Sequence, residues 1–484
     1  MKKIFFLSIL FVIMAAGIQA CDLIEPREII SPNVDEESFL GGNLIMNPWV
    51  NGMQRDFATT MGTFVELTEI ISDNYFNDYT QSSKVFDRPL LDYNDIDVTN
   101  LQRLAAKLRE SADYGIYQVA VIDETTTEEQ LYHLKFIRAF SFLMGGEYFT
   151  GLPMEVRGKV EEWQTNLNVA INEFKPLLPV AAQIGATEVA ALNTIIARAY
   201  YRLGDKTNAV SYANAALAGS TDFVRYVEFD GTNNVSNSMQ NYIFGNPWFQ
   251  PLPRLDFLDP KYFAPIGSPR EHRPIAIAKA EEPYLILAEA LLADHDITAA
   301  AATLKTLLQL VSSRPTLTIN NGTQTRGVGL FVLYPNSAEY RVAASAADPL
   351  RSGLVLTRNA DEPLVTIPYI SGTSVDDVMI DNFAAQGEDK LLELLYLMRQ
   401  EIFIAEARRI CDLGIRLPVC FREFTVNPTA EGFTEAQIPP FIPLDQKMDS
   451  FIMDQINKTI VIEYNMNRVI AQNKQTQYVV PFVK

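Results

Sequence analysis

Glu406, Arg409 and Asp412 recur every third residue in EARRICDLGIR, residues 406–416. On a helix that spacing places all three on one face, where they form a ladder of charges. A buried ladder locks a helix against its neighbours rather than doing chemistry, so a structural role is expected. The histidines His133, His272 and His295 are isolated, which gives neither a zinc site nor an acid–base dyad. No His-Glu-x-x-His, Gly-x-Ser-x-Gly or phosphate-cradling glycine loop occurs. The run DYNDID, residues 92–97, hints at calcium but has Asp97 where a calcium loop needs glycine and Arg103 where it needs glutamate. It is expected to be a solvated turn. No catalytic residue, metal or cofactor is expected.

Binding is easier to place than catalysis. Sugar rings and peptide side chains stack their apolar faces on aromatics, while neighbouring amides and carboxylates take the hydrogen bonds. Two stretches offer that mixture. SDNYFNDYT, residues 72–80, supplies Asp73, Asn74, Tyr75, Asn77 and Tyr79. NYIFGNPWFQP, residues 241–251, supplies Tyr242, Asn246, Trp248 and Phe249 beside glycine and proline. These nine residues are the candidate ligand-binding set. The competing reading is that the rings anchor their loops to the core.

The elements that carry these stretches follow from periodicity. Lys2 and Lys3 precede an apolar run from Phe5 to Ala16, which is a secretory signal in form and too short to span a membrane. Small and polar residues follow up to Ala20, and Ile18-Gln19-Ala20-Cys21 resembles a bacterial lipoprotein box, so Cys21 is the expected lipidation site after a signal over residues 1–20. Residues 21–49 read as a tether with Pro26, Pro32, Pro48 and Gly41-Gly42. From Val50 to Ile71, Met53, Phe57, Met61, Phe64 and Leu67 recur at helical spacing. Helices are also expected at 101–121, 128–149, 389–412 and 445–453, with strand or coil from Thr459.

Residues 191–217 form two helices joined at Gly204-Asp205, a unit similar to a tetratricopeptide pair. Ala197 and Ala209 allow close crossing, and Tyr200 is expected to fill the gap between the helices. A second copy lies at 283–310, with Ala288 and Ala300 at the same spacing and His295 in the place of Gly204. A third is suggested at 131–151 by Ala139, Phe142 and Gly146. Loop-rich insertions are expected at about 221–273 and 313–381. The fold class is therefore mainly α: a tetratricopeptide-like scaffold over 50–484, with long irregular loops and a little β structure.

The chain has 40 basic and 59 acidic residues and a formal net charge of −19, which argues against nucleic acid. Its 48% apolar content marks it as globular. Cys411 and Cys420 lie close enough in sequence to be joined in an exported protein, or to stay as buried thiols.

Five segments in order resemble the SusD/RagB-like outer-membrane nutrient-binding lipoproteins of Bacteroidetes. They are LKFIRAFSFLMGGEYFTGLP (134–153), KVEEWQTNLNVAINEFKPLLP (159–179), the pair at 191–217, KAEEPYLILAEALL (279–292) and EARRICDLGIR (406–416). In the fourth, Lys279 stands where the family usually has arginine, and in the fifth Ala407 stands for glycine. The resemblance implies a non-catalytic surface lipoprotein, anchored through Cys21 in the outer membrane. It would capture an oligosaccharide, or a peptide, and deliver it to a SusC-like TonB-dependent outer-membrane transporter. A tetratricopeptide-type protein adaptor and a surface glycan hydrolase are the alternatives.

Overall fold

The computed structural model describes residues 44–77, 84–244, 248–322, 333–359, 361–445 and 447–484. Cys21, Tyr79 and Asn246, and most of the expected tether, lie outside them.

The fold is mainly α. Helix α1 (Met46–Ile70) starts four residues ahead of the expected Val50, with Ile45 and Met46 already buried. Met53, Phe57, Met61, Phe64 and Leu67 are all buried, as their spacing requires. Helix α2 (Ile96–Tyr114) is capped by Asp95, whose side chain accepts from the Asp97 and Val98 amides. The DYNDID run is thus a turn leading into a capped helix. Helix α3 (Glu128–Tyr148) opens on a capping box between Thr127 and Gln130. The first two of these helices pack against the third and against each other.

Helical hairpins follow in series. Helix α3 pairs with α4 (Trp163–Phe174), and α4 packs on α5 (Ala186–Leu203). Helix α5 pairs with α6 (Lys206–Gly219), which meets α7 (Glu281–Ala293), itself paired with α8 (Ile297–Ser313). Helix α9 (Asp377–Ala385) bridges α8 and α10 (Glu388–Ile402), and α10 pairs with α11 (Met466–Gln472). Ala197, Ala209, Ala288 and Ala300 are fully buried where the paired helices cross. Tyr200, half-buried, stacks on Tyr212 of the partner helix at 5.7 Å, between the two helices as expected, while the buried Tyr201 turns to Glu289 on α7 and Tyr396 on α10. The third expected copy differs more. Helix α3 runs straight through Gly145 and Gly146, and its partner α4 comes only after residues 149–162. A Cβ on Gly146 would lie 2.5 Å from the Leu167 side chain, so this glycine serves close packing rather than a turn.

The two turns at 204 and 295 close in the same way. Gly204 has φ +75° and His295 has φ +60°. In both, the next amide reaches back five residues, Asp205 N–H to the Tyr200 carbonyl and Asp296 N–H to that of Leu291. That same residue then caps the second helix: Asp205 accepts from the Asn208 amide and Asp296 from that of Ala299.

Strands are short. The pairs are β1 (Tyr75–Asn77) with β5 (Phe249–Pro251), β2 (Gly151–Pro153) with β3 (Val160–Glu162), β4 (Val224–Val227) with β6 (Ile275–Lys279), and β7 (Thr316–Asn320) with β9 (Leu364–Pro368). A three-stranded sheet has the order β10 (Phe451–Asp454), β11 (Thr459–Ile462), β8 (Arg341–Ala343). Around residue 450 the expected helix is replaced by a single 3-10 turn at Lys447–Asp449 and strand β10.

The expected helix 389–412 also breaks. It stops at Ile402, Ala405 and Ala407 take left-handed backbone conformations, and only a turn at Arg409–Asp412 is helical. Glu406, Arg409 and Asp412 therefore do not form a ladder. Each goes to a different place: Glu406 accepts from Lys261 (2.6 Å) and Lys279 (2.7 Å), Arg409 pairs with Asp73, and Asp412 with Arg399 (2.9 Å) and Arg202 (3.1 Å). Their role is structural, but it consists of stitching distant segments together. Cys411 and Cys420 are free thiols, and burial pushes Cys411 up to about 11.

Candidate functional site

The two stretches singled out for binding come together. Strand β1 follows the C-terminal turn of α1, and β5 lies alongside it antiparallel, with Tyr75 opposite Pro251, Phe76 opposite Gln250 and Asn77 opposite Phe249. Their side chains divide into two groups.

Asp73, Asn74, Tyr75, Asn77 and Phe249 are buried, each at most 2% exposed. As a direct ligand-contacting set these five are displaced by their burial: they anchor the loops. Asp73 receives a two-pronged contact from Arg409, Nε at 2.6 Å and Nη2 at 2.8 Å. Asn74 donates to Glu69 (2.8 Å) and accepts from Gln400 (3.0 Å). The Asn77 amide donates to Asp87 (2.9 Å). Burial pushes Glu69 up to about 7, opposed by donors that include Asn74 and the Ala407 amide.

Tyr242 and Trp248 form the second group. Both are half-buried, so part of each ring reaches the surface. Tyr242 lies stacked on Phe249, with centroids 4.7 Å apart and planes at 18°, and tilted against Trp248 at 5.4 Å. The buried Phe249 thus fixes the orientation of Tyr242. The Tyr242 hydroxyl is hydrogen-bonded to Glu66 on α1, whose carboxyl is pushed up to about 8 by burial and by the nearby Asp97 charge. Burial, and then the same two acids, raise the Tyr242 phenol. The result is an aromatic shelf flanked by one carboxyl held neutral and a second acid on α2. Among the described residues, no group of three or more His, Cys, Asp or Glu is placed to hold a metal ion.

The titration of Glu66 is directly observable. Because its pKa in the fold is raised, Glu66 is protonated at neutral pH and ionises as pH rises through about 8. A charge beside Tyr242 and Trp248 should change tryptophan fluorescence with a midpoint near that pH, and Glu66→Gln should abolish the transition. A transition that persists in Glu66→Gln would assign it to another group.

No family model matches the sequence, and no curated protein is similar to it in sequence. Solved structures are similar in fold. A Bacteroides vulgatus protein to which sugar binding has been ascribed shares 11% identity, over 82% of this chain and 98% of that one, at a TM-score of 0.51. A SusD superfamily protein from the same organism shares 10% identity over 82% and 100%, at 0.49. A SusD-like carbohydrate binding protein from it shares 12% identity over 76% and 82%, at 0.48. The fold is shared with the first of these proteins.

Within this fold, Glu66 and Asp97 were not among the residues that the sequence pattern marks for binding. Glu66 is an acid on an otherwise apolar stretch between Phe64 and Leu67, which is the one signal that could have drawn attention to it. Asp97 was read only as part of a turn. Many charges are buried in pairs: Arg198 with Glu282 (2.6 Å) joins two helices, Arg314 with Glu281 (2.8 Å) joins a helix to the end of another, and Arg358 with Asp256 joins two loop segments.

Proposed function

We propose that this protein is a non-catalytic surface lipoprotein that binds an oligosaccharide and delivers it to a TonB-dependent outer-membrane transporter. The observation that carries the binding step is the half-exposed Tyr242–Trp248 shelf beside Glu66 and Asp97. Flat rings next to carboxyls match the alternating apolar faces and hydroxyls of a sugar. A neutral Glu66 can both donate to and accept from a sugar hydroxyl, which an ionised one cannot. The solved protein that shares the fold at a TM-score of 0.51, one to which sugar binding has been ascribed, agrees with this reading. Cys21, separated by four residues from an apolar run that ends at Ala16, supports the anchor, and the helical hairpins offer surfaces of the kind that bind protein partners.

Trp248→Ala should weaken glycan binding on the order of tenfold, about 1.4 kcal/mol, without changing the thermal midpoint. Calorimetry with a panel of oligosaccharides checks this; unchanged affinity would remove the shelf from the site. Cys21→Ser should move the protein from the membrane to the soluble fraction, and a transporter barrel should co-purify only with the anchored form.

A second reading, glycan hydrolysis, has one observation in its favour: Glu66 is held protonated within electrostatic reach of Asp97. Shortened products after incubation with candidate glycans would favour it over binding alone.

A further inference from the structure

A cavity of about 830 Å³ lies between α9, α10, α11 and the 341–354 segment, apart from the aromatic shelf. Its wall is largely apolar, with Val342, Leu354, Met379, Phe383 and Leu397. Its charged lining is unusual for so acidic a chain. Arg468 is neutralised by Asp348 and Glu393 (3.1 Å), and Lys390 by Glu393 (2.8 Å). Arg254 and Arg351 have no such partner: among the described residues neither has a carboxylate within ion-pair distance.

The nearest acid in the lining, Glu401, adds its charge but makes no direct contact with either arginine. Glu401 takes three hydrogen bonds from one loop: Thr373 Oγ1 (2.7 Å), the Ser374 amide (2.7 Å) and Ser374 Oγ (2.6 Å). Arg351 donates to the hydroxyl (3.1 Å) and the carbonyl of that same Ser374. Arg254, only 5% exposed, donates Nη2 to the neutral Gln400 Oε1 at 2.7 Å. Gln400 also accepts from Asn467 Nδ2 at 2.9 Å. Asn467 lines the cavity, is fully buried, and its Oδ1 has no hydrogen-bond partner. A buried guanidinium with no carboxylate in direct contact, only the charges of Glu401 and Asp73 nearby, and a buried acceptor without a donor each cost free energy that a ligand can recover.

We propose that this cavity binds a small monocarboxylate with an apolar body and one hydrogen-bond donor. The carboxylate meets Arg254, whose planar guanidinium suits two-pronged pairing. The donor meets Asn467 Oδ1. The apolar body rests on Met379, Phe383 and Leu397. Arg351 adds positive charge at the same cavity. Polyhydroxylated sugars fit less well, because the apolar wall would strip their hydroxyls of water without replacing the hydrogen bonds.

Calorimetric titration of the whole protein with N-acetyl-L-phenylalanine tests this. The probe carries a carboxylate, an N–H and an apolar ring. Saturable binding is expected, at least tenfold weaker for N-acetyl-L-phenylalaninamide, which lacks the charge. Arg254→Gln should weaken the acid at least tenfold. Because Arg254 is also tied to Gln400, Ala385→Trp serves as the second variant: Ala385 is exposed at the end of α9 and lines the cavity, so a large ring there fills the space without disturbing the core. It too should weaken binding at least tenfold, with an unchanged melting curve. Trp248→Ala should leave probe binding intact, whatever its effect on glycans. No saturable binding, equal affinity for acid and amide, or full affinity in Ala385→Trp would each overturn the assignment.

Discussion

Arg409→Leu is expected to lower the stability of the protein by about 3–5 kcal/mol, read as a shift of the urea unfolding midpoint. Arg409 and Asp73 are each 1% exposed. Removing the guanidinium takes away both contacts to Asp73 and leaves a buried carboxylate held mainly by Gln400 Nε2 at 2.8 Å. An uncompensated buried charge is the costly part, more than the lost attraction. The damage should spread, because Asp73 directly precedes Asn74 and β1, and β1 carries β5. The double variant Asp73→Asn with Arg409→Leu should recover a substantial part of the loss, since it leaves no ion without a partner. A single-variant loss below about 1 kcal/mol, within the range of an exposed pair, would show that water reaches this site.

Asp449→Asn should act in the opposite direction and raise the melting temperature at neutral pH. Asp449 is 6% exposed, and neither of its carboxyl oxygens has a hydrogen-bond partner. Burial, with Asp87 and Asp73 nearby, holds its pKa well above the ordinary 3.8, and Lys84 only partly opposes this. Below the unfolded-state pKa both states are protonated and the residue costs nothing through titration. Above it, the unfolded chain releases a proton that the folded chain keeps, so folding becomes less favourable by up to about 1.4 kcal/mol per pH unit until the raised pKa is reached. The asparagine variant lacks this slope. Its advantage should therefore grow from about pH 4 upward and vanish in acid; an advantage independent of pH would point to packing instead.

Much of the scaffold was legible in the sequence. The apolar stripe of α1, the alanines where helices cross, and the two aspartate-capped turns all depend on residues close together in the chain. The pairing of 72–80 with 241–251 was only half legible. Composition singled out both stretches, but local pattern could not show that Asp73 and Phe249 turn inward while Tyr242 and Trp248 stay near the surface. That division is decided by Arg409 and Gln400, more than 300 residues from Asp73. The false ladder has the same origin. Glu406, Arg409 and Asp412 sit at helical spacing, yet their partners at Lys261, Lys279, Asp73 and Arg399 pull the backbone out of the helix. Strands of three residues, such as β1 and β5, are too short for alternation to reveal.

The paired turns at Gly204 and His295 bear on how divergent copies of one structural unit can be recognised. Both satisfy the same closing bond and hand over to an aspartate that starts the next helix, yet one uses glycine and the other histidine. A left-handed backbone costs a side chain roughly 1 kcal/mol, an amount that neighbouring helix packing can absorb. The residue at the bend is thus interchangeable, while the aspartate after it and the twelve-residue interval between buried alanines are tied to geometry that has no substitute here. The two copies are alike in that interval and cap and differ at the bend.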